Sequence, residues 1–317
     1  VHETSEEAQE ETLMILAMYK EFVESELAIP VISGIKSERE KFAGALATYA
    51  IEALMSDGKA LQMGTSHNLG QHFSKVFNIR YEDRNQNIQY AWQTSWGMST
   101  RLVGALIMSH GDDSGLRLPP RIAPIQAVIV PISVGNWKDE VLPVAVKIQS
   151  ELHEMGLRVE LDKREEFTPG WKFSEWEMRG VPLRIEIGPR DVKENQAICV
   201  RRDSGQKEPV PLDSLTVKLP ELLSDIQKSL YAKALEFQMT NTHDVENYEE
   251  FKAILEEQRG FLRTFWCGKT ACEEKIKEET MATIRVILLE EDKSIAGGKC
   301  FLCGEKSEHL AYFARAY

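Results

Sequence analysis

Four of the five cysteines fall in two short pairs: "CGKTAC" holds Cys267 and Cys272, and "CFLC" holds Cys300 and Cys303. Gly268, Gly297, Gly298 and Gly304 flank the pairs, so tight turns can aim several sulfurs at one point. Four thiolates in a tetrahedral array suit zinc, and a site with four protein ligands has no vacancy for a substrate, which points to a structural role. The competing reading is four unrelated reduced thiols. Cys199, within the apolar run "AICV", reads as a buried small residue.

"LQMGTSHNLGQHF" gathers Gln62, Thr65, Ser66, His67, Asn68 and Gln71 around Gly64 and Gly70. Amides and hydroxyls in that density recognise a neutral ligand through directional hydrogen bonds, or else simply form a turn and a helix cap. His67 and His72 are spaced wrongly for two metal ligands on one helix face. In "QTSWGMSTRLVGALIMSHGDD", Arg101 precedes an apolar run that ends at His110, Asp112 and Asp113. Its permanently charged, planar guanidinium is either paired inside the protein or held out for phosphate or a purine face. His110 with its two acids is acid–base machinery or a structural hydrogen-bond network. No nucleophile–base pair and no Walker-type phosphate loop stands out.

The elements that must position these residues follow from periodicity and punctuation. "VHETSEEAQEETLMILAMYKEFV" predicts one amphipathic helix over 1–28, with capping-box spacing at Thr4 and Glu7 and a stop near Pro30. "AIPVISGIKSEREKFAG" predicts a short strand, a turn and a loop. "ATYAIEALMSDGKALQMGTSHNLGQHFSKVFNI" reads as helix, Asp57-Gly58 turn, strand and short helix, and "IQYAWQTSWGMSTRLVGALIMSHGD" as strand then helix. Pro119, Pro120 and Pro124 mark a linker. From Ile125 on, "IQAVIVPI", "LRVELD", "PLRIEIG" and "AICVRRD" alternate with helices around Val141–Met155 and Phe173–Arg179. This is the pattern of a compact α/β unit with a largely parallel sheet. A helix over Leu222–Phe237 leads to a small region, 240–317, that combines "VENYEEFKAILEEQ" with the cysteine pairs.

Bulk composition narrows the classes. A chain of 317 residues with 43% apolar and 28% charged residues predicts two or three globular domains. A formal charge of −12 argues against a general nucleic-acid coat while leaving room for a local RNA-binding patch. No apolar run approaches the ~20 residues that span a bilayer, so no membrane partner is expected. Clustered, unpaired cysteines suit a reduced, cytoplasmic protein better than a disulfide scaffold.

In order and identity these pieces resemble the C-terminal two-thirds of a prolyl-tRNA synthetase of the archaeal and eukaryotic type. The resemblance rests on "EKFAG" (40–44), "GTSHNLGQHF" (64–73), "TSWGMSTRLVGALIMSHGDDSGLRLPPRIAPIQ" (94–126), "TPGWKFSEWEMRGVPLRIEIGPRD" (168–191), the terminal cysteines and the final "FARAY". It implies a partial α+β class II catalytic domain over 1–120, an α/β anticodon-binding domain over 121–225, and a linking helix with a small α/β zinc-binding domain over 226–317. The implied activity joins L-proline to ATP, with magnesium, as prolyl-adenylate and passes the prolyl group to the 3' end of proline tRNA. By resemblance, "WGMSTR" is the third class II motif and Arg101 its catalytic, ATP-binding arginine. Gln62 and Ser99 match further ATP contacts, while Phe42, His67 and Ser95 match walls of the proline pocket. Thr65 matches a residue near the tRNA acceptor end. Glu177, Arg184, Arg190 and Asp191 match positions that read anticodon guanines, where arginine suits the acceptor edge and carboxylate the donor edge. Without the family pattern these four would read as a surface salt-bridge cluster. Cys267, Cys272, Cys300 and Cys303 match structural zinc ligands, Tyr317 matches a residue that approaches the active site, and a homodimer is implied.

The sequence departs from the family pattern in places. The first two class II motifs do not occur, so the chain is expected to be part of something longer. Ala47, Tyr49 and Ala50 stand where relatives often carry tyrosine and threonines. About fifty residues separate Phe42 from Ser95, which leaves no room there for a large editing insertion. Two alternatives accompany the ligase reading. One is a synthetase-derived tRNA-binding module without ligase activity; the other is a synthetase for a different amino acid, disfavoured by "GTSH", "TSWG" and the terminal cysteines.

Overall fold

The first helix starts where its free N–H groups find oxygen. Glu7 N donates to Thr4 Oγ1 (3.1 Å), while the Glu7 carboxylate reaches back to Glu3 N (3.1 Å), one residue earlier than a standard capping box. The computed structural model describes residues 1–289, 297–307 and 309–317. Helix α1 (Ser5–Ser25) is followed by strands β1 (Ile32–Ile35), β2 (Ala47–Leu54) and β3 (Ala60–Gly70). Next come helix α2 (His72–Phe77), a small hairpin of β4 (Arg80–Glu82) and β5 (Ile88–Tyr90), strand β6 (Gln93–Gly97) and helix α3 (Arg101–His110).

The segment "ATYAIEALM" is the main departure from the sequence expectation: it is strand β2, not a helix. Alanine, glutamate, leucine and methionine are good helix formers, but that preference is worth only tenths of a kcal/mol per residue. Here β1 and β3 pair antiparallel with both edges of β2, and seven of its eight residues are buried. Burial and ladder hydrogen bonds outweigh propensity.

Residues beyond α3 form five strands: β7 (Ala127–Pro131), β8 (Val159–Leu161), β9 (Leu183–Ile187), β10 (Gln196–Arg201) and β11 (Lys207–Pro211). Helices α4 (Trp137–Glu140), α5 (Leu142–Glu154), α6 (Pro169–Met178) and α7 (Pro189–Lys193) connect them, and α8 (Leu215–Thr240) follows. The strand order is β11-β10-β9-β7-β8. β7 runs parallel to β8 and β9, but β9–β10 and β10–β11 are antiparallel, so the sheet is mixed rather than largely parallel. The chain returns from β9 through the short helix after it to lie antiparallel beside β9 as β10, and a tight hairpin with Gly205 at φ +71° then adds β11. One sheet face packs Ile129 and Ile185 against Leu152 and Leu219. The other packs Val128 and Val130 against Trp176 and Val181 under α6.

The chain ends with β12 (Thr242–Asp244), α9 (Tyr248–Glu257), β13 (Phe261–Trp266), α10 (Thr270–Thr280), β14 (Thr283–Ile287), β15 (Gly298–Lys299), β16 (Lys306–Ser307) and β17 (His309–Ala314). Four of these strands join the first ones in a single eight-stranded sheet, ordered β12-β13-β17-β14-β1-β2-β3-β6. By contacts, Val1–Ser25, Ile29–Ala105 and Leu235–Tyr317 make one compact unit, and Glu26–Ala28 with Leu106–Ala234 makes another. No helix among the described residues is long and apolar enough to cross a membrane.

His110 and its neighbouring acids belong to the second unit and do not form an acid–base group. The buried His110 ring bonds Leu27 O (2.8 Å), and burial lowers its pKa. Asp112 instead takes a two-pronged contact from Arg202 (3.0 and 2.5 Å), and those hydrogen bonds hold its carboxyl at about 2. A depressed carboxyl stabilises fully above its ordinary 3.8, and that contribution is lost as pH falls through about 2. Urea midpoints between pH 5 and 2 are therefore expected to fall more steeply for the natural protein than for Asp112→Asn.

Candidate functional site

Antiparallel register decides which side chains share a face of the first sheet. On one face, α1 covers β2, β3 and β6. Gln9 bonds Tyr49 Oη (2.9 Å) and Asn68 (3.0 Å), Ser66 Oγ donates to Thr12 O (2.8 Å), and Thr94 Oγ1 donates to Glu11 (2.5 Å). Gly64 permits this close approach, since a Cβ there would stand 3.0 Å from Met98 and 3.1 Å from Tyr19. The opposite face carries the pairs Thr48–His67, Ala50–Thr65 and Glu52–Gln62, with Ser95 across from His67 and Gly97 across from Thr65.

Phe42 leans over His67 with ring centroids 5.0 Å apart. Phe42 N donates to Thr48 Oγ1 (2.9 Å), and that hydroxyl lies 2.9 Å from His67 Nδ1. The buried Thr48 hydroxyl has the imidazole nitrogen as the natural acceptor for its proton, which leaves the His67 proton on Nε2. Burial lowers the His67 pKa, so the ring is neutral at pH 7. The wall is thus apolar and hydrogen-bonding but uncharged.

Arg101 opens α3 as an exposed side chain. Its Nη1 donates to Gln62 O (3.2 Å) and its backbone N–H to Ser99 Oγ (3.3 Å). Among the described residues no carboxylate lies within ion-pair distance of it. Two groupings therefore stand along β3: Phe42, His67, Ser95 and Thr65 at one end, Gln62, Ser99 and Arg101 at the other. At the chain end, Tyr317 N bonds Ala60 O (3.3 Å), two residues before Gln62, and its ring lies 4.8 Å from Lys59 Nζ.

The same face carries, at Glu52, a buried charge cluster that sequence reasoning missed. Glu52, fully buried, accepts from Lys36 Nζ (2.7 Å) and from Arg285 Nε and Nη2 (2.9–3.1 Å). Lys36 Nζ also donates to Arg285 O (2.6 Å). A lysine and a glutamate amid apolar neighbours were the available signal; Arg285, 233 residues from Glu52, offered none.

In the second unit, Glu177 and Arg184 line one cavity of about 210 Å³ together with Trp176, Arg201, Arg202 and Lys207. Arg184 is held flat: its Nε and Nη2 donate to Glu186 (3.1 and 2.9 Å), and the guanidinium lies 4.3 Å from the Phe173 ring centre. Arg190 and Asp191 do not line this cavity. They sit on α7, where Arg190 pairs with Glu194 (2.9 Å) and Asp191 accepts from Gly188 N (2.8 Å).

The four cysteine sulfurs lie within 4.8 Å of one another. Cys267 follows β13, Cys272 lies in the first turn of α10, and Cys300 and Cys303 flank the turn between β15 and β16. Gly304 N donates to Cys300 O (2.8 Å) at φ +76°, which a side chain would strain. Lys269 Nζ pairs with Glu305 (2.6 Å), and Phe301 N donates to Phe265 O (3.1 Å), tying one knuckle to the other. A zinc–thiolate tetrahedron has sulfurs about 3.8 Å apart, so the set fits the ion with a small contraction. Burial raises the Cys267 and Cys272 thiols, while a hydrogen bond from Glu305 N lowers Cys303.

Residues 248–317 match the family described as "Prolyl-tRNA synthetase, C-terminal", and residues 126–222 match "Anticodon binding domain". The proline–tRNA ligase of Natranaerobius thermophilus is 54% identical over 318 residues, and that of Alkaliphilus oremlandii 52% over 317. Each covers 100% of this chain, and the chain spans 65% of the length of each. The crystal structure of a prolyl-tRNA synthetase from Cryptosporidium parvum, complexed with L-proline and AMP, superposes with a TM-score of 0.93 at 38% identity. It covers 100% of this chain, which covers 68% of it. The chain therefore combines a catalytic-domain portion, an anticodon-binding domain and a C-terminal domain with a four-cysteine cluster. On that likeness along its whole length, it belongs to the prolyl-tRNA synthetase family.

Proposed function

We propose that this chain is a portion of a proline–tRNA ligase and contributes to the sites for ATP, L-proline and the tRNA anticodon. The observation that carries the reading is the face of β3 opposite α1, along which stand a neutral aromatic–imidazole wall and, reaching Gln62 from the start of α3, a cation without a carboxylate partner among the described residues. In the reaction a proline carboxylate oxygen attacks the α-phosphorus of ATP, pyrophosphate leaves, and the adenylate then passes its prolyl group to a hydroxyl of the terminal adenosine. Charge develops on phosphate oxygens, so fixed cations and magnesium carry the chemistry and no protein nucleophile is needed. Arg101 stacks on adenine and meets the triphosphate, with Gln62 and Ser99 beside it. Phe42, His67 and Ser95 enclose the proline ring, which suits an uncharged wall, and Thr65 faces the acceptor end.

In this reading residues 1–120 are the catalytic portion, 121–225 bind the anticodon, and 226–317 are the linking helix and zinc-binding domain of a cytoplasmic homodimer. The flat, pre-set Arg184 and the Glu177 carboxylate in one basic cavity support guanine reading. Arg190 and Asp191, on α7 and outside that cavity, take the same role by family likeness. Proline-dependent exchange of labelled pyrophosphate into ATP by the whole protein tests the function. Exchange with proline is expected; tRNA binding without any exchange would leave a tRNA-binding module instead.

Structural zinc is the ion the four thiolates suit. Because burial raises Cys267 and Cys272, zinc uptake at pH 7 must displace their protons. Adding zinc to chelator-stripped protein is expected to release protons, measured with a pH indicator, and to bind more tightly as pH rises.

A further inference from the structure

The loop between β1 and β2 ends a run of hydrogen bonds that begins beside the cysteine cluster. Cys272 lies in the first turn of α10, and Glu273 and Glu274 follow it directly. Glu273, 4% exposed, accepts from Ser37 Oγ (2.7 Å), and Ser37 is itself 2% exposed. The same Ser37 oxygen accepts from Glu40 N (3.3 Å), and Ser37 O accepts from Lys41 N (2.9 Å), forming the tight turn that delivers Phe42. Phe42 N then reaches Thr48 Oγ1, and Thr48 reaches His67 Nδ1. Two exposed pairs run alongside, Arg39–Glu274 (2.5 Å) and Lys277–Glu40 (3.7 Å), but pairs of that kind contribute little. The buried Ser37–Glu273 bond is the stronger tie, since losing it would leave a buried polar group unpaired.

We propose that the cysteine cluster, by seating the first turn of α10, sets the positions of Phe42 and His67 through the Ser37–Glu273 hydrogen bond, so that metal loading tunes the proline side of the site. The catalytic consequence rests on the proposed proline-pocket role of Phe42 and His67; the mechanical link does not. Ser37 and Glu273 are positioning residues, touching no substrate. Couplings between sites commonly amount to 5–150-fold, and the expected effect lies in the lower part of that range.

The test is amide hydrogen exchange at Glu40, Lys41 and Phe42, read site by site. In zinc-loaded protein, Ser37→Ala is expected to speed exchange at these three amides about tenfold with zinc content unchanged, and Ser37→Thr to restore protection. Stripping zinc from the natural protein is expected to speed the same amides about tenfold, but to change them less than twofold in Ser37→Ala. Unchanged protection of the three amides in zinc-loaded Ser37→Ala overturns the proposal, as does protection that survives zinc removal. If stripping exposes β2 and β3 as well, the zinc-loaded Ser37→Ala and Ser37→Thr pair decides alone. In pyrophosphate exchange, Ser37→Ala is expected to raise the proline KM about tenfold and leave the ATP KM unmoved. A natural protein without any exchange removes the ligase reading, while the amide data still decide the link.

Discussion

Replacing Arg101 by alanine is expected to lower proline-dependent pyrophosphate exchange by about 10²–10³-fold, the usual cost of deleting one fixed donor aimed at developing charge. The loss should not come from unfolding. Arg101 is exposed, and its side chain bonds only a backbone carbonyl, Gln62 O at 3.2 Å, among the described residues. Substitutions of that kind shift stability by no more than about 0.5 kcal/mol, so the melting temperature should hold. The split of kinetic constants is informative. A guanidinium that stacks on adenine in the ground state raises the ATP KM when removed, whereas one that grips only the transition state lowers kcat. Arg101→Lys keeps the charge but loses the plane and the fork, so it should recover little. Exchange within fivefold of the natural protein would remove Arg101 from the ATP site.

What was legible in the sequence was local. The cysteine pairs announced themselves by spacing and flanking glycines, and their sulfurs do converge. The buried strand Ala127–Pro131 was legible because a strand covered on both faces must be apolar at every position. Helix α1 was legible from its period and cap, although it ends at Ser25 rather than reaching residue 28. What failed depended on distant partners. Strand β2 reads as helix because only its pairing with β1 and β3 makes it a strand. Its misreading also hid Thr48, which fixes the His67 tautomer, and Glu52, whose ligands come from residues 16 and 233 positions away. His110 and Asp112 stand two apart in the chain, yet each turns to a different and remote partner. Adjacency in sequence overstated that pair.

Glu52→Gln is expected to destabilise the first unit by about 3–5 kcal/mol, the cost of breaking a buried ion pair from one side. Glu52 is fully buried and answers two cations at once, Lys36 and Arg285. An amide can accept from one of them but cannot neutralise either. Burial already lowers the Lys36 pKa, so with the carboxylate gone the lysine is expected to surrender its proton, while Arg285 cannot. Arg285 keeps Thr283 Oγ1 (2.9 Å) as an acceptor, which is too little for a buried guanidinium. Pairing the change with Lys36→Met should recover part of the loss, because a buried amine that has lost its carboxylate is then replaced by an apolar chain of similar length. A double-mutant cycle read from urea midpoints measures that recovery. Strict additivity of the two changes would mean that Lys36 and Glu52 do not interact. The three residues tie β2 to β14 across β1, so loosening them should also unsettle the sheet face on which His67 stands. Glu52→Gln is therefore expected to raise the proline KM even at temperatures where the protein remains folded.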